Sequence, residues 1–218
     1  MIINHEWPEY IAEREKIGMD GHNGAYYYSK EICELIIPRV RTSRNWITIR
    51  AGKSCADHSI CFAHNLFGFV EKYGYTFDYE DVIYVACTPG QKREIESAGK
   101  RAVFLPLSVD TEYVSKFRRE KTKDAAFVGR TFWRDGLDFP DGTDLLEMLP
   151  RDELLARMAE YRRVYAVSRC AIEAQVLGCE ILPYHPMFTD VGFWQVLDSR
   201  DAAKILQAEL DEIDGKPL

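Results

Sequence analysis

The sequence predicts an α/β protein whose strands form parallel sheets in two successive halves. Four short runs in the first half are β-branched or aromatic-rich and apolar almost throughout, the pattern of strands buried on both faces of a parallel sheet. Segments of helical length alternate with them, which calls for the right-handed crossovers of a Rossmann-like half. A polar, strongly charged stretch then intervenes before a new buried-strand pattern begins at Ala125.

In chain order, residues 25–40 read as the first helix and WITIR at 46–50 as the first strand. SICFAH at 59–64 is the second strand, followed by a short helix after Asn65, and DVIYVAC at 81–87 is the third. The helix at 89–97 has the clearest ends: Thr88 suits the N-cap, Pro89 the first helical position and Gly99 the stop. RAVFL at 101–105 closes the first half, and LSVDTEYVSKFRREKTKD is the expected linker. Beyond it, AAFV at 125–128 reads as a strand, 151–160 as a helix, 164–167 as a strand, 169–177 as a helix closed by Gly178, and EILP at 180–183 as a strand. Residues 200–213 place apolar side chains at helical spacing among carboxylates, predicting a terminal amphipathic helix. Residues 131–148 give no period and read as an irregular connection lining a site. The expected domains are 1–108 and 109–218, the latter including the terminal helix.

A net charge of −7 argues against a general DNA-coating role, which needs a surplus of Lys and Arg. Residues 39–53 are the exception, with Arg39, Arg41, Arg44, Arg50 and Lys53 and no acid among them. That run suits either a solvated helix end favoured by its dipole or a contact with a nucleic acid, an acidic protein or a membrane surface. No stretch approaches the roughly 20 apolar residues that span a bilayer. Met1 to Glu15 is polar and acidic, unlike a signal peptide, so a cytoplasmic location is expected. The six cysteines include no C-x-x-C pair and read as reduced core thiols. Asp135, Asp138, Asp141 and Asp144 lie in a turn-rich context, and no obligatory metal is expected from them.

Three motifs, in this order, resemble the retaining glycosyltransferases of the GT-B fold (group 1, family 4-like), which have two facing Rossmann-like domains. The segment from Val82 to Tyr113, running through Leu105-Pro106-Leu107-Ser108-Val109-Asp110, is similar to the family's interdomain passage. Phe127-Val128-Gly129-Arg130 is similar to the element that opens its C-terminal domain. Ile172-Glu173-Ala174-Gln175-Val176-Leu177-Gly178 looks like its glutamate-bearing helix. Asp20-Gly21-His22-Asn23-Gly24 also resembles the N-terminal glycine loop. The chain departs from the pattern in a shorter C-terminal domain, in Tyr165 where the first of two glutamates is usual, and in Glu180 where a proline is usual.

The resemblance implies a nucleotide-diphospho-sugar donor held in an interdomain cleft and an acceptor left open among a small molecule, a protein and modified DNA. It implies transfer with retention and no obligatory cofactor. Gly21 and Gly24 would let the backbone approach an anion at a helix start. Arg130 and, shortly after it, Arg134 would hold phosphate oxygens. Glu173 would accept hydrogen bonds from the ribose hydroxyls, and His64 is the histidine implied to contact the transferred sugar. Ser168, at a helix start, suits either a cap or a phosphate contact, the cap being the expected single role.

Overall fold

The structure, a computed structural model, describes residues 2–5, 24–44, 46–49, 58–63, 80–129, 139–147, 149–183 and 193–214. It is an α/β protein with two parallel sheets. Its contacts divide the chain into one unit of Met1–Gly21, Ala25–Pro106 and Arg200–Leu218, and another of His22–Gly24 and Leu107–Ser199. The terminal helix therefore groups with the first unit, not with the C-terminal domain assigned to it from sequence.

The first sheet orders β1 (Ile2–His5), β2 (Trp46–Ile49), β3 (Ser59–Ala63), β4 (Val82–Ala86) and β5 (Arg101–Phe104), all parallel. Strands β3 and β4 are buried along their whole length, as their unbroken apolar runs require. Strand β1 had no counterpart in the sequence reading. The order contains no reversal, so this sheet lacks the switch point of a doubly wound fold among the described residues.

The expected helix at 25–40 is a helical run of changing pitch. Helix α1 (Gly24–Glu31) passes into a π turn at Ile32–Ile36 and a 3-10 turn at Ile37–Arg39. Pro38 is the physical reason for an end here, since it offers no N–H and its ring collides with the carbonyl four residues back. The N–H of Ile37 reaches the Ile32 carbonyl, five residues back. Helix α2 (Pro89–Ser97) has the expected ends: the Thr88 side chain accepts from the Gln91 N–H at 3.1 Å, and Gly99 adopts φ +74°.

At the amino ends of three neighbouring strands, one cluster absorbs part of the basic run. The buried Arg44 donates to Asp81 Oδ1 at 2.7 Å and to the Asp81 carbonyl at 2.8 Å, while His58 Nδ1 meets Asp81 Oδ2 at 2.8 Å. The His58 hydrogen bond, and after it Arg44, hold the Asp81 carboxyl below its ordinary value against an opposing effect of burial. Because the folded-state value is depressed, the associated stability is present above the unfolded carboxyl value and lost as pH falls through the folded one. Urea melts of the wild type and Asp81→Asn should therefore differ by a constant amount near pH 5 and converge below about pH 4.

The second unit carries the sheet order β7 (Asp144–Leu146), β6 (Lys123–Val128), β8 (Tyr161–Tyr165), β9 (Glu180–Leu182), again all parallel. The supposed linker belongs to this unit. Leu107 and Val109 are buried, and helix α3 (Thr111–Ser115) starts where Asp110 accepts from the Tyr113 N–H at 3.2 Å. Val109 also bridges residues 197–199 through its N–H to the Leu197 carbonyl at 3.1 Å and its carbonyl to the Ser199 N–H at 3.0 Å. Strand β7 lies in the stretch read as irregular, while residues 130–138 and 148 of that region lie outside the described residues. Helices α4 (Arg151–Met158) and α5 (Ser168–Val176) flank β8 in the chain, and α6 (Ser199–Asp214) is the terminal helix.

Lys121 joins the carboxyl ends of α4 and α5. Its ammonium donates to the Ala159 and Leu177 carbonyls, each at 2.9 Å, and lies 3.2 Å from Cys179 Sγ. A cation suits both places, because the last carbonyls of a helix lack intrahelical donors and carry the negative end of its dipole. Burial pushes the Cys179 thiol up and Lys121 partly offsets this. Cys33, Cys61, Cys87, Cys170 and Cys179 are free thiols, and Cys55 lies outside the described residues. Burial raises Cys87 to about 12 and, with Glu34 beside it, Cys33 to about 11, so neither supplies a thiolate near neutrality. Among the described residues no helix is long and apolar enough to cross a membrane.

Candidate functional site

The second sheet reverses direction at β6. Strand β7 lies on one side of it and β8 on the other, so the carboxyl ends of β6 and β8 border a topological switch point, where open α/β sheets bind ligands. Strand β6 reaches this edge because Ala125 to Val128 are buried on both faces. Strand β8 is less completely covered, with Tyr161 and Val164 buried and Arg162 exposed. Its position, Tyr161–Tyr165, is three residues earlier than the start expected from sequence, because Tyr161 anchors it. The Tyr161 hydroxyl donates to Asp144 Oδ2 at 2.6 Å across the sheet, and burial followed by that carboxylate raises its ionisation above the usual phenol value.

Between β8 and α5 the chain turns through Ala166 and Val167 into Ser168, which has φ +61°. A non-glycine residue in this region pays a steric cost of roughly 1–2 kcal/mol. Val167 occupies the N-cap position and makes no side-chain cap, and the half-buried Ser168 hydroxyl makes no hydrogen bond among the described residues. The expected cap is therefore not what Ser168 supplies. Ser168→Gly should melt at or slightly above the wild-type temperature, since glycine takes positive φ without the clash. Ser168→Val should lose about 1–3 kcal/mol in the same urea titration.

Glu173 lies within α5, only 3% exposed. Its Oε1 accepts from Arg169 Nε at 2.8 Å, one turn earlier, and from Arg151 Nη2 at 3.0 Å, at the first position of α4. Arg151 also lies over the Tyr113 ring with its guanidinium carbon 5.5 Å from the centroid, and the Tyr113 hydroxyl donates to Asp152 at 2.5 Å. A carboxylate buried between two guanidinium groups fixes α4 against α5, and the cluster sits on the same helix as Ser168.

Ser168 and Glu173 are thus brought onto one helix following the switch-point strand. Gly24 is the first residue of α1. Gly21, His64, Arg130 and Arg134 lie outside the described residues. Sequence reasoning missed Arg151 and Arg169. The i, i+4 spacing of Arg169 and Glu173 was a readable signal, whereas nothing local links Arg151 to either. Among the described residues no group of three His, Cys, Asp or Glu side chains is placed to hold a metal ion.

Fold and site together define an α/β protein with parallel, Rossmann-like sheets and a switch-point edge in its second unit. No protein-family model, no curated protein and no solved structure matches the chain.

Proposed function

We propose that the chain is a glycosyltransferase, a shortened member of the GT-B class, that moves a sugar from a nucleotide-diphospho-sugar to an acceptor with retention. The observation that supports this reading is the switch point at β6 and β8, which feeds directly into α5. The first amides of that helix and the Ser168 hydroxyl, which makes no hydrogen bond among the described residues, are suited to an anion. Those donors would meet the charge that develops on a departing diphosphate. Arg130 and Arg134 complete the phosphate set in the proposal, Gly21 and Gly24 supply an anion loop, and His64 the sugar contact. Retention needs no protein nucleophile when the acceptor attacks the face the diphosphate leaves. No obligatory metal and a cytoplasmic location belong to the same proposal.

A second reading, a nucleotide- or nucleotide-sugar-binding module without transfer, is favoured by two features. The Glu173 carboxylate is engaged by two arginines, and Tyr165 stands where the resembled family has its other glutamate.

A thermal-shift panel with UDP, GDP, ADP, CDP and dTDP and their sugar conjugates tests the common ground. Ligand at ~100 times its dissociation constant should add about 2.7 kcal/mol of stability. One nucleotide should stabilise the wild type, and Ser168→Gly, which keeps the turn but lacks the hydroxyl, should respond less. No response to any nucleotide would overturn both readings. Release of nucleoside diphosphate from the conjugate, with the anomeric configuration of the product read by NMR, separates transfer from binding alone.

A further inference from the structure

We propose that the groove between residues 39–41 and helix α6 is a binding surface for the phosphodiester backbone of a nucleic acid, independent of the nucleotide site above. The structure divides the basic run. Arg44 is consumed in the buried contact with Asp81, whereas Arg39 and Arg41 stay exposed at the end of the helical run that follows α1. Helix α6 brings Arg200 and Lys204 there from about 160 residues away along the chain: a concavity of about 470 Å³ lined by these two and Arg39 shares Arg39, Gln207 and Asp211 with a second of about 380 Å³ that Arg41 lines. Arg39, Arg41, Arg200 and Lys204 line it together with Asp211, and Lys204 is also ion-paired with Asp201 at 2.7 Å, so the cations outnumber these carboxylates by two in a chain whose net charge is −7.

The groove is built rather than incidental. The Gln207 side chain clasps the backbone of Arg41 on both sides, its Oε1 accepting from the Arg41 N–H at 2.5 Å and its Nε2 donating to the Arg41 carbonyl at 3.1 Å. The same amide donates to Asp211 Oδ1 at 2.7 Å, so this carboxylate is held by Gln207. Neither Arg39 nor Arg41 forms an ion pair among the described residues: Arg39 donates only to the Leu35 carbonyl at 2.9 Å, and the Arg41 guanidinium makes no hydrogen bond there. Both forks remain available for phosphate oxygens.

The dimensions and lining select the partner. Arg200 and Gln207, which holds Arg41, are seven residues apart on α6, about 10 Å at 1.5 Å per residue, longer than one phosphate and suited to successive ones. The apolar part of the lining is Ala203 and Ala208, which offers no pocket for the aromatic or aliphatic anchor that a protein interface needs at its centre. Backbone neutralisation by a few cations carries no sequence preference.

The test follows a labelled mixed-sequence oligodeoxynucleotide, single-stranded and as its duplex, by fluorescence anisotropy across salt. Binding should be measurable near ~50 mM salt and should fall with a log–log slope of about −3 to −4 for the duplex if all four cations engage. Arg39→Ala/Arg41→Ala should make that slope shallower by about 2, and Lys204→Ala by about 1. Arg93→Ala, an exposed cation outside the groove, should leave it unchanged. Unaltered melting temperatures would certify that each variant folds. Absence of binding to both oligonucleotides, binding unaffected by the double variant, or equal binding of polyglutamate of the same length would overturn the proposal, the last assigning the groove to an acidic protein.

Discussion

Glu173→Ala is expected to destabilise the protein by about 3–5 kcal/mol in urea titration, the cost of breaking a buried ion pair by removing one partner. The reason lies in the geometry of the cluster. Arg151 and Arg169 both donate to the same carboxylate oxygen, and their side chains are each only 7% exposed. Without Glu173, two buried guanidinium groups lose the carboxylate oxygen that both of them share. Glu173→Gln keeps an acceptor but not the charge and should fall between wild type and alanine. Replacing all three residues by methionine should recover most of the lost stability, because well-packed apolar side chains often substitute for a buried ionic cluster. The same series separates two roles for Glu173. A side chain that served only to hold a ribose would leave the melt within about 0.5 kcal/mol of wild type, as substitutions away from structural features do, while abolishing the nucleotide response. A large loss of stability that the triple variant restores assigns Glu173 to the architecture of the site.

How far this fold could be read from sequence depended on whether the deciding interactions were local. Helix α2 was legible to the residue, because Thr88, Pro89 and Gly99 each carry their own backbone preference. Strands β3 and β4 were legible because burial on both faces forces unbroken apolar composition. Strand β1 was not, since it owes its state to pairing with β2, more than forty residues later. The edge strand β7 exposes Asp144 and Leu145 and buries only Leu146, which erases any period. Helix α3 was hidden by the charged composition around it, although Asp110 before Thr111 was a usable cap signal. At the candidate site, Glu173 drew attention for its place on a helix, but its environment is set by Arg151, twenty-two residues upstream. Composition and spacing report on a residue's own neighbourhood, and a buried charge is defined by what reaches it from elsewhere.

Phe127→Ala should cost about 3–5 kcal/mol, comparable to Glu173→Ala but by a different route. Phe127 is fully buried in β6, the strand from which the sheet extends both ways, and its register partners are Leu145 on β7 and Tyr165 on β8. Its ring lies 5.0 Å from that of Phe139, which in turn meets Tyr165 edge-on at 5.0 Å. Truncation opens a cavity one residue from the end of β6, directly at the switch point, and removes the ring against which Phe139 rests. Phe139 is half-buried, so Phe139→Ala should cost less, about 1–2 kcal/mol. A double-mutant cycle between the two should return a coupling of about 0.5–1.5 kcal/mol, the usual worth of an aromatic pair. Phe127→Leu preserves more of the volume and should retain most of the stability, giving a folded protein in which the switch-point edge is altered. If the nucleotide response weakens in Phe127→Leu while Phe62→Leu, buried in β3 of the first sheet, leaves it intact, ligand binding depends on the packing beneath the β6–β8 edge. Equal responses in both variants would move the nucleotide away from that edge, and a loss below about 1 kcal/mol in Phe127→Ala would contradict the central position of β6 itself.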